Sequence, residues 1–175
     1  GAPLIDVPSL TMAAALAVTE FLNSQLIPAA PKWPNDVLVG NKKICGILSE
    51  RVERPGASGI IVGIGLNINM SSEDAAAIDR PATSVLIESG RAHKLGETLE
   101  ALLPLLDYWI GEWAKDGFAA IRETWTEKAG PIGKPLSVHD GDVRKSGTLA
   151  GFGDHGELLL QTSNGLETIW SGDVS

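Results

Sequence analysis

Gly59-Ile60-Ile61-Val62-Gly63-Ile64-Gly65-Leu66-Asn67-Ile68-Asn69 alternates with a period of two. Its even positions are Ile60, Val62, Ile64, Leu66 and Ile68, all apolar; its odd positions are Ile61, Gly63, Gly65, Asn67 and Asn69. In a β-strand the two sets lie on opposite faces. One face is therefore expected to pack into a core, and the other is nearly bare until it reaches two amides. Glycines two residues apart weaken a strand unless something must approach the backbone closely. Either another element of the chain packs there, or a flat ligand lies over Gly63 and Gly65. In the second case the Asn67 amide offers the paired donor and acceptor that read an adenine edge. The stretch is not a dinucleotide fingerprint, because its G-x-G is not followed by x-x-G at a helix start.

Upstream, Arg54-Pro55-Gly56-Ala57-Ser58 reads as a turn and Lys42 to Val52 as the partner strand. Gly40-Asn41 is a two-residue type II′ turn leading back to a strand from Asn35 to Val39. Pro34 holds Trp33 in an extended conformation. This hairpin carries the second group of candidates. The Lys43 ammonium, held against a strand, can neutralise a carboxylate and then the charge developing on an acyl phosphate. Gly46 would let a ligand rest on the main chain, and Asp36 could fix Lys32, Lys43 or a magnesium ion. The plain alternative is that Lys42 and Lys43 are solvated residues beside a turn. Regular alternation puts Lys43 and Gly46 on opposite faces, so joint action requires a twist or a bulge. Farther upstream, Ser9 is placed to cap a buried helix from Leu10 to Leu22.

Downstream, Ser71 to Ile78 reads as a short helix, and Thr83 as the cap of another through Val85 to Glu88. Leu95 to Ala114 is amphipathic, with Leu99, Leu102, Leu103, Leu106, Trp109, Ile110 and Trp113 on one side; Pro104 predicts a kink or break. Phe118 to Lys128 is a further helix. After Gly130-Pro131 the composition changes to short strands between turns, which predicts a small barrel or sandwich. Asp140-Gly141-Asp142 is one of those turns. His93, His139 and His155 have no metal-ligand spacing, so no metal site is expected from them. Cys45 reads as a small core residue, and Trp109, Trp113 and Trp125 as core.

The chain has 175 residues, 43% of them apolar and 21% charged, which suits one globular domain or one with a small appendage and excludes disorder as the main state. Fourteen basic against 22 acidic residues give a net charge of −8. The segment after residue 131 holds three basic and six acidic residues. No basic stripe is present to grip a phosphodiester backbone, so nucleic acid is not an expected partner. No apolar run reaches the roughly 18 residues of a membrane span, so no membrane association is expected either. The single cysteine excludes an internal disulfide framework. With no signal-peptide pattern visible, a cytoplasmic location is expected.

Taken together these blocks resemble biotin protein ligases. The resemblance rests on Lys32-Trp33-Pro34-Asn35-Asp36-Val37-Leu38-Val39, on Lys42-Lys43-Ile44-Cys45-Gly46-Ile47-Leu48-Ser49-Glu50, and on Val62 to Asn69. Ala82-Thr83-Ser84-Val85 and the tail from Gly133 through Asp173 extend it. It implies an α/β (α+β) fold: a mixed sheet with helices forming a catalytic core over residues 1–130, and a small C-terminal SH3-like barrel over 131–175. It implies a two-step reaction, in which biotin and ATP, with Mg2+, give biotinyl-5′-AMP and pyrophosphate. The biotinyl group then passes to a lysine of a biotin carboxyl carrier domain, such as that of acetyl-CoA carboxylase. By matching position Lys43 is the catalytic residue, touching the biotin carboxylate and the phosphate. Gly46, Gly63, Ile64, Gly65 and Leu66 line the biotin pocket, Asn67 faces the adenine, and Asn35 and Asp36 order the site. The resemblance leaves room for a homodimer. The family also carries an upstream Arg/Gly-rich loop, G-R-G-R-x-G-R, which this chain does not contain. The chain is therefore expected to be N-terminally incomplete. The alternatives are a ligase-like protein that binds biotin or an adenylate without turnover, and a related lipoate ligase.

Overall fold

The computed structural model describes residues 7–141 and 143–175; Asp142, in one of the expected turns, lies outside them. Helix α1 (Val7–Ser24) is built on the run Met12-Ala13-Ala14-Ala15-Leu16-Ala17-Val18, every member of which is buried. Small side chains let two partners approach this helix at once, the first sheet on one side and α4 on the other. The helix starts earlier than expected. Ser9 lies inside it rather than capping it, and its hydroxyl accepts a hydrogen bond from the Trp113 indole at 2.8 Å.

The first sheet contains β1 (Ala29–Lys32), β2 (Asp36–Val39), β3 (Lys42–Arg54) and β4 (Ala57–Leu66), in that spatial order. All neighbours run antiparallel. This corrects the expected mixed sheet. Turns as short as Gly40-Asn41 and Pro55-Gly56 can join only antiparallel strands. Among the described residues the parallel pairing is a single bridge from Lys43 to Ala82. β4 shows the predicted alternation, with even residues packed on the core and odd residues exposed. It ends at Leu66, not Asn69: the Asn67 amide still bonds to Ile44 of β3 at 2.9 Å, but the Asn67 and Ile68 carbonyls accept from the Val85 and Leu86 amides, at 2.9 and 2.8 Å.

Next come α2 (Ser72–Ala76), α3 (Val85–Ser89), α4 (Leu95–Asp116), a 3-10 turn (Gly117–Ala120) and α5 (Arg122–Ala129). Ser71 caps α2 through a capping box with Asp74. The cap of α3 is Ser84, one residue later than expected; Thr83 instead donates to Glu88 at 2.6 Å. α4 runs unbroken through Pro104. Pro104 and Glu100 are both exposed, so the carbonyl that the proline leaves unbonded faces water. Leu102, Trp109 and Trp113 of this helix are buried, whereas Leu99 and Leu103, expected on the same side, are about half exposed.

The second sheet has β5 (Pro135–Asp140), β6 (Val143–Phe152), β7 (Leu158–Thr162), β8 (Gly165–Ile169) and β9 (Asp173–Val174), in the order β8-β7-β6-β5-β9. The ladder is open, not the closed barrel that was expected. β9 is two residues long and pairs with β5, and among the described residues no ladder joins it to β8. The turn between β6 and β7 lies against α1. A Cβ at Gly156 would fall 2.6 Å from the Met12 sulfur, and φ there is +87°, so glycine is required twice over. The Gly156 carbonyl accepts from the buried Trp33 indole at 2.9 Å. Trp125 meets Phe152 edge-on, with centroids 6.1 Å apart. Among the described residues no helix is long and apolar enough to cross a membrane.

Candidate functional site

The face of the first sheet opposite α1 is open over β3 and β4. Gly46 pairs with Gly65 and Leu48 with Gly63, and directly paired residues share a face. A Cβ built at Gly63 would meet only the Leu48 carbonyl, at 3.7 Å, and one at Gly65 only the Gly46 carbonyl, at 3.4 Å. Among the described residues no packing element comes near either glycine. The two possibilities read from the sequence are thereby separated: among the described residues, nothing in the protein itself uses the bareness of this floor.

Lys43 reaches the floor through a bulge. In the β2–β3 ladder, Asp36 pairs with Gly46, Val37 with Cys45 and Leu38 with Lys43, so Ile44 is an extra residue. Ile44 and Cys45 both turn inward and are fully buried. The bulge brings Lys43 and Gly46, three positions apart, onto one face. A Cβ at Gly46 would stand 2.9 Å from both Cε and Nζ of Lys43. The ammonium thus lies directly over Gly46, and the Asp36 carboxylate holds it there, Nζ to Oδ1, at 2.5 Å. Lys43 is 45% exposed and Asp36 20%. A pair this accessible adds little stability, about 0–1 kcal/mol; its consequence is position.

Asn35 clamps the turn before β2 onto β3. Its side-chain amide donates to the Ile47 carbonyl at 2.7 Å, and its own carbonyl accepts from the Ile47 amide at 2.9 Å. A cis peptide joins Trp33 to Pro34 just before it. Lys43 is tied on its other side as well. Its amide donates to Pro81 and its carbonyl accepts from Thr83, both at 2.9 Å. Asn67 borders this loop, its side-chain amide donating to the Thr83 carbonyl at 3.0 Å.

A cavity of about 520 Å3 opens over the floor, lined by Asn35, Lys43, Gly46, Ile47, Leu48, Gly63, Ile64 and Gly65. Six of the residues singled out from the sequence are therefore brought together. Asp36 stands beside them, behind the ammonium. Leu66 and Asn67 do not line this cavity: Leu66 packs toward the core, and one Asn67 donor is committed to Thr83. Leu48 was missed, although it is the second residue after Gly46 and so shares its face. It is 67% exposed, as is most of Ile61 in the same face. Cys45 lies beneath the floor, and burial pushes its thiol up to about 12, against a smaller opposing pull from Lys43. It is not a nucleophile at neutral pH. No group of three His, Cys, Asp or Glu that could hold a metal occurs among the described residues, and Asp36 is engaged by Lys43.

Comparison with known proteins bears on this geometry. Residues 3–67 match the model of the biotin/lipoate A/B protein ligase family. Over 172 residues the chain is 36% identical to the biotin–[acetyl-CoA-carboxylase] ligase of Paracoccus denitrificans, covering 94% of this chain and 71% of that protein. It is 32% identical to the bifunctional ligase/repressor BirA of Bacillus spizizenii, over 98% of this chain. It spans 54%, about half, of that relative's length. The solved structure of biotin protein ligase from Aquifex aeolicus in complex with biotin and ATP matches with a TM-score of 0.79 at 28% identity, covering 97% of this chain and 71% of that one.

Proposed function

The chain belongs to the biotin/lipoate A/B protein ligase family, and we propose that it activates biotin with ATP and transfers it to a carrier lysine. In the first step a biotin carboxylate oxygen attacks the α-phosphorus of ATP, giving biotinyl-5′-AMP and pyrophosphate. In the second, a carrier lysine amine attacks the acyl carbon and AMP leaves. The observation that carries this reading is the bare floor at Gly46, Gly63 and Gly65, with one ammonium fixed above it. Leu48 and Ile61 extend the same face with apolar surface for the acyl part. Lys43 would neutralise the carboxylate before attack and the phosphate charge afterwards, a role fixed donors fill best when they need not reorganise. Asp36 keeps the ammonium in place, and Asn35 keeps Asp36 in register. Asn67 would present its remaining amide edge to the adenine.

The described residues offer no cluster for magnesium. The ion would come with the phosphates of ATP, as it commonly does, and no step here depends on it. The accepting partner is a biotin carboxyl carrier domain, and residues 131–175 are the counterpart of the family's SH3-like domain, following a catalytic core that ends at 130. The test is pyrophosphate release by the full-length protein. Release should require both biotin and ATP, and addition of a carrier domain should give a biotinylated lysine. Saturable biotin binding without any pyrophosphate would support a binding protein instead. The family model spans biotin and lipoate ligases, so stabilisation by lipoate and not by biotin in a thermal-shift assay would assign the acyl group the other way.

A further inference from the structure

Leu38 pairs with Lys43 on one side and with Ala30 on the other, and directly paired residues share a face. The face that carries the floor therefore continues across the β1–β2 hairpin to Ala30, two strands from Lys43, or roughly 10 Å. The second sheet meets it there. Between the two sheets is a cavity of about 510 Å3, lined on one side by Ala30 and Leu38 and on the other by Leu136, Leu149 and Phe152. That volume suits a small ligand, for which cavities run to about 300–1,000 Å3. The cavity is separate from the one over Gly46, Gly63 and Gly65, since the two share no lining residue. No Asp or Glu lines it, in a chain with 22 acidic residues against 14 basic ones. Its charged residues are two lysines. Lys32 is held by the Asp173 carboxylate at 2.7 Å. Lys134 is exposed, and among the described residues its ammonium makes no ion pair. Its backbone is fixed: the Leu149 amide donates to the Lys134 carbonyl at 2.9 Å, and the Gly133 amide donates to the Leu149 carbonyl at 2.7 Å.

We infer that this cavity binds a fatty-acid anion, with the hydrocarbon chain between the two sheets and the carboxylate at Lys134. A mostly apolar lining with one unpaired cation at its border is complementary to a molecule with one negative end and an otherwise apolar body. A polyanion would leave the leucines uncovered, and a neutral hydrocarbon would leave the ammonium without a partner. The site goes beyond the ligase reading and does not rest on it, because no residue of the glycine floor takes part.

Calorimetric titration of octanoate, decanoate and dodecanoate into the full-length protein tests the site, alone and with saturating biotin. Each acid should bind at one site, with affinity rising about fourfold per methylene, the transfer value for a buried CH2. Biotin should leave these affinities unchanged. Lys134→Met should weaken decanoate about fivefold, the upper end for an exposed ion pair, and leave decanol binding where it was. Ala30→Trp adds bulk at an exposed lining position, so it should weaken both decanoate and decanol about tenfold while biotin binding and the melting temperature hold. Absence of saturable binding by all three acids, or affinity independent of chain length, would overturn the site. So would equal effects of Lys134→Met on decanoate and decanol, or unchanged binding in Ala30→Trp. Displacement of decanoate by biotin would put the acid on the glycine floor and overturn it as well. A protein that binds decanoate in this pattern but never biotin would uphold the site and defeat the ligase reading alone.

Discussion

Gly46 has no side chain, and the position of its missing Cβ shows the reason: Nζ and Cε of Lys43 occupy the space at 2.9 Å. Gly46→Ala should displace the ammonium from Asp36 with little effect on the fold, because the atoms that must move are the tip of a flexible side chain. Adenylate formation should fall with it. Lys43→Ala should lower the rate by about 100-fold or more, as loss of one charge-stabilising donor does, and shift the melting temperature little, since surface lysines contribute little stability. Pyrophosphate release and thermal melting of both variants check this; full activity in Lys43→Ala would refute the site. Cys45 makes a separate prediction. Its folded pKa is raised from 9.0 to about 12, so the native state keeps a proton that the unfolded chain loses. Stability from this source is complete below pH 9 and falls as pH rises toward 12, by at most about 1.4 kcal/mol per pH unit. Urea midpoints of wild type against Cys45→Ala across that range isolate it. The glycines and Lys43 were legible in the sequence because their chemistry is local. The contact of Lys32 with Asp173 was not, since sequence separation hides a pair that only the assembled sheets create.

At the scale of the element, the hairpin is the informative part. Its turn and strands follow from Gly40-Asn41 and from alternation, and the structure agrees to within two residues. The bulge at Ile44 could be anticipated only as a requirement, because Lys43 and Gly46 could not otherwise act together. What places it there is the burial of two consecutive residues, Ile44 and Cys45, against the core. One inserted residue between Val37 and Leu38 would fill the gap opposite Ile44 and square the ladder. Lys43 would then turn toward the core side and Ile44 toward the floor. The expected result is a protein that retains its strand content by circular dichroism, is less stable, and forms no adenylate. The α4 readings show the limit of periodicity. The apolar stripe identified the helix, but not which of its leucines would find a partner: Leu102 did and Leu99 and Leu103 did not.

For the whole molecule, the change of composition at Gly130-Pro131 announced a second set of strands, while their openness and their attachment to the first sheet came only from the structure. The attachment runs through Trp33, Trp125 and Lys32. Trp33 belongs to the most recognisable block of the sequence, Lys32 to Asp36, yet its indole is turned away from the floor and bonded to the Gly156 carbonyl in the β6–β7 turn. Trp33→Phe keeps the ring and removes the donor. It should cost about 1–3 kcal/mol, the penalty for a buried carbonyl left without its partner, and lower the melting temperature by roughly 2–10 °C. Biotin affinity measured on the folded fraction should not change. An assay at a single warm temperature would therefore score this tryptophan as a catalyst, when what had given way was the rivet between two halves of the scaffold.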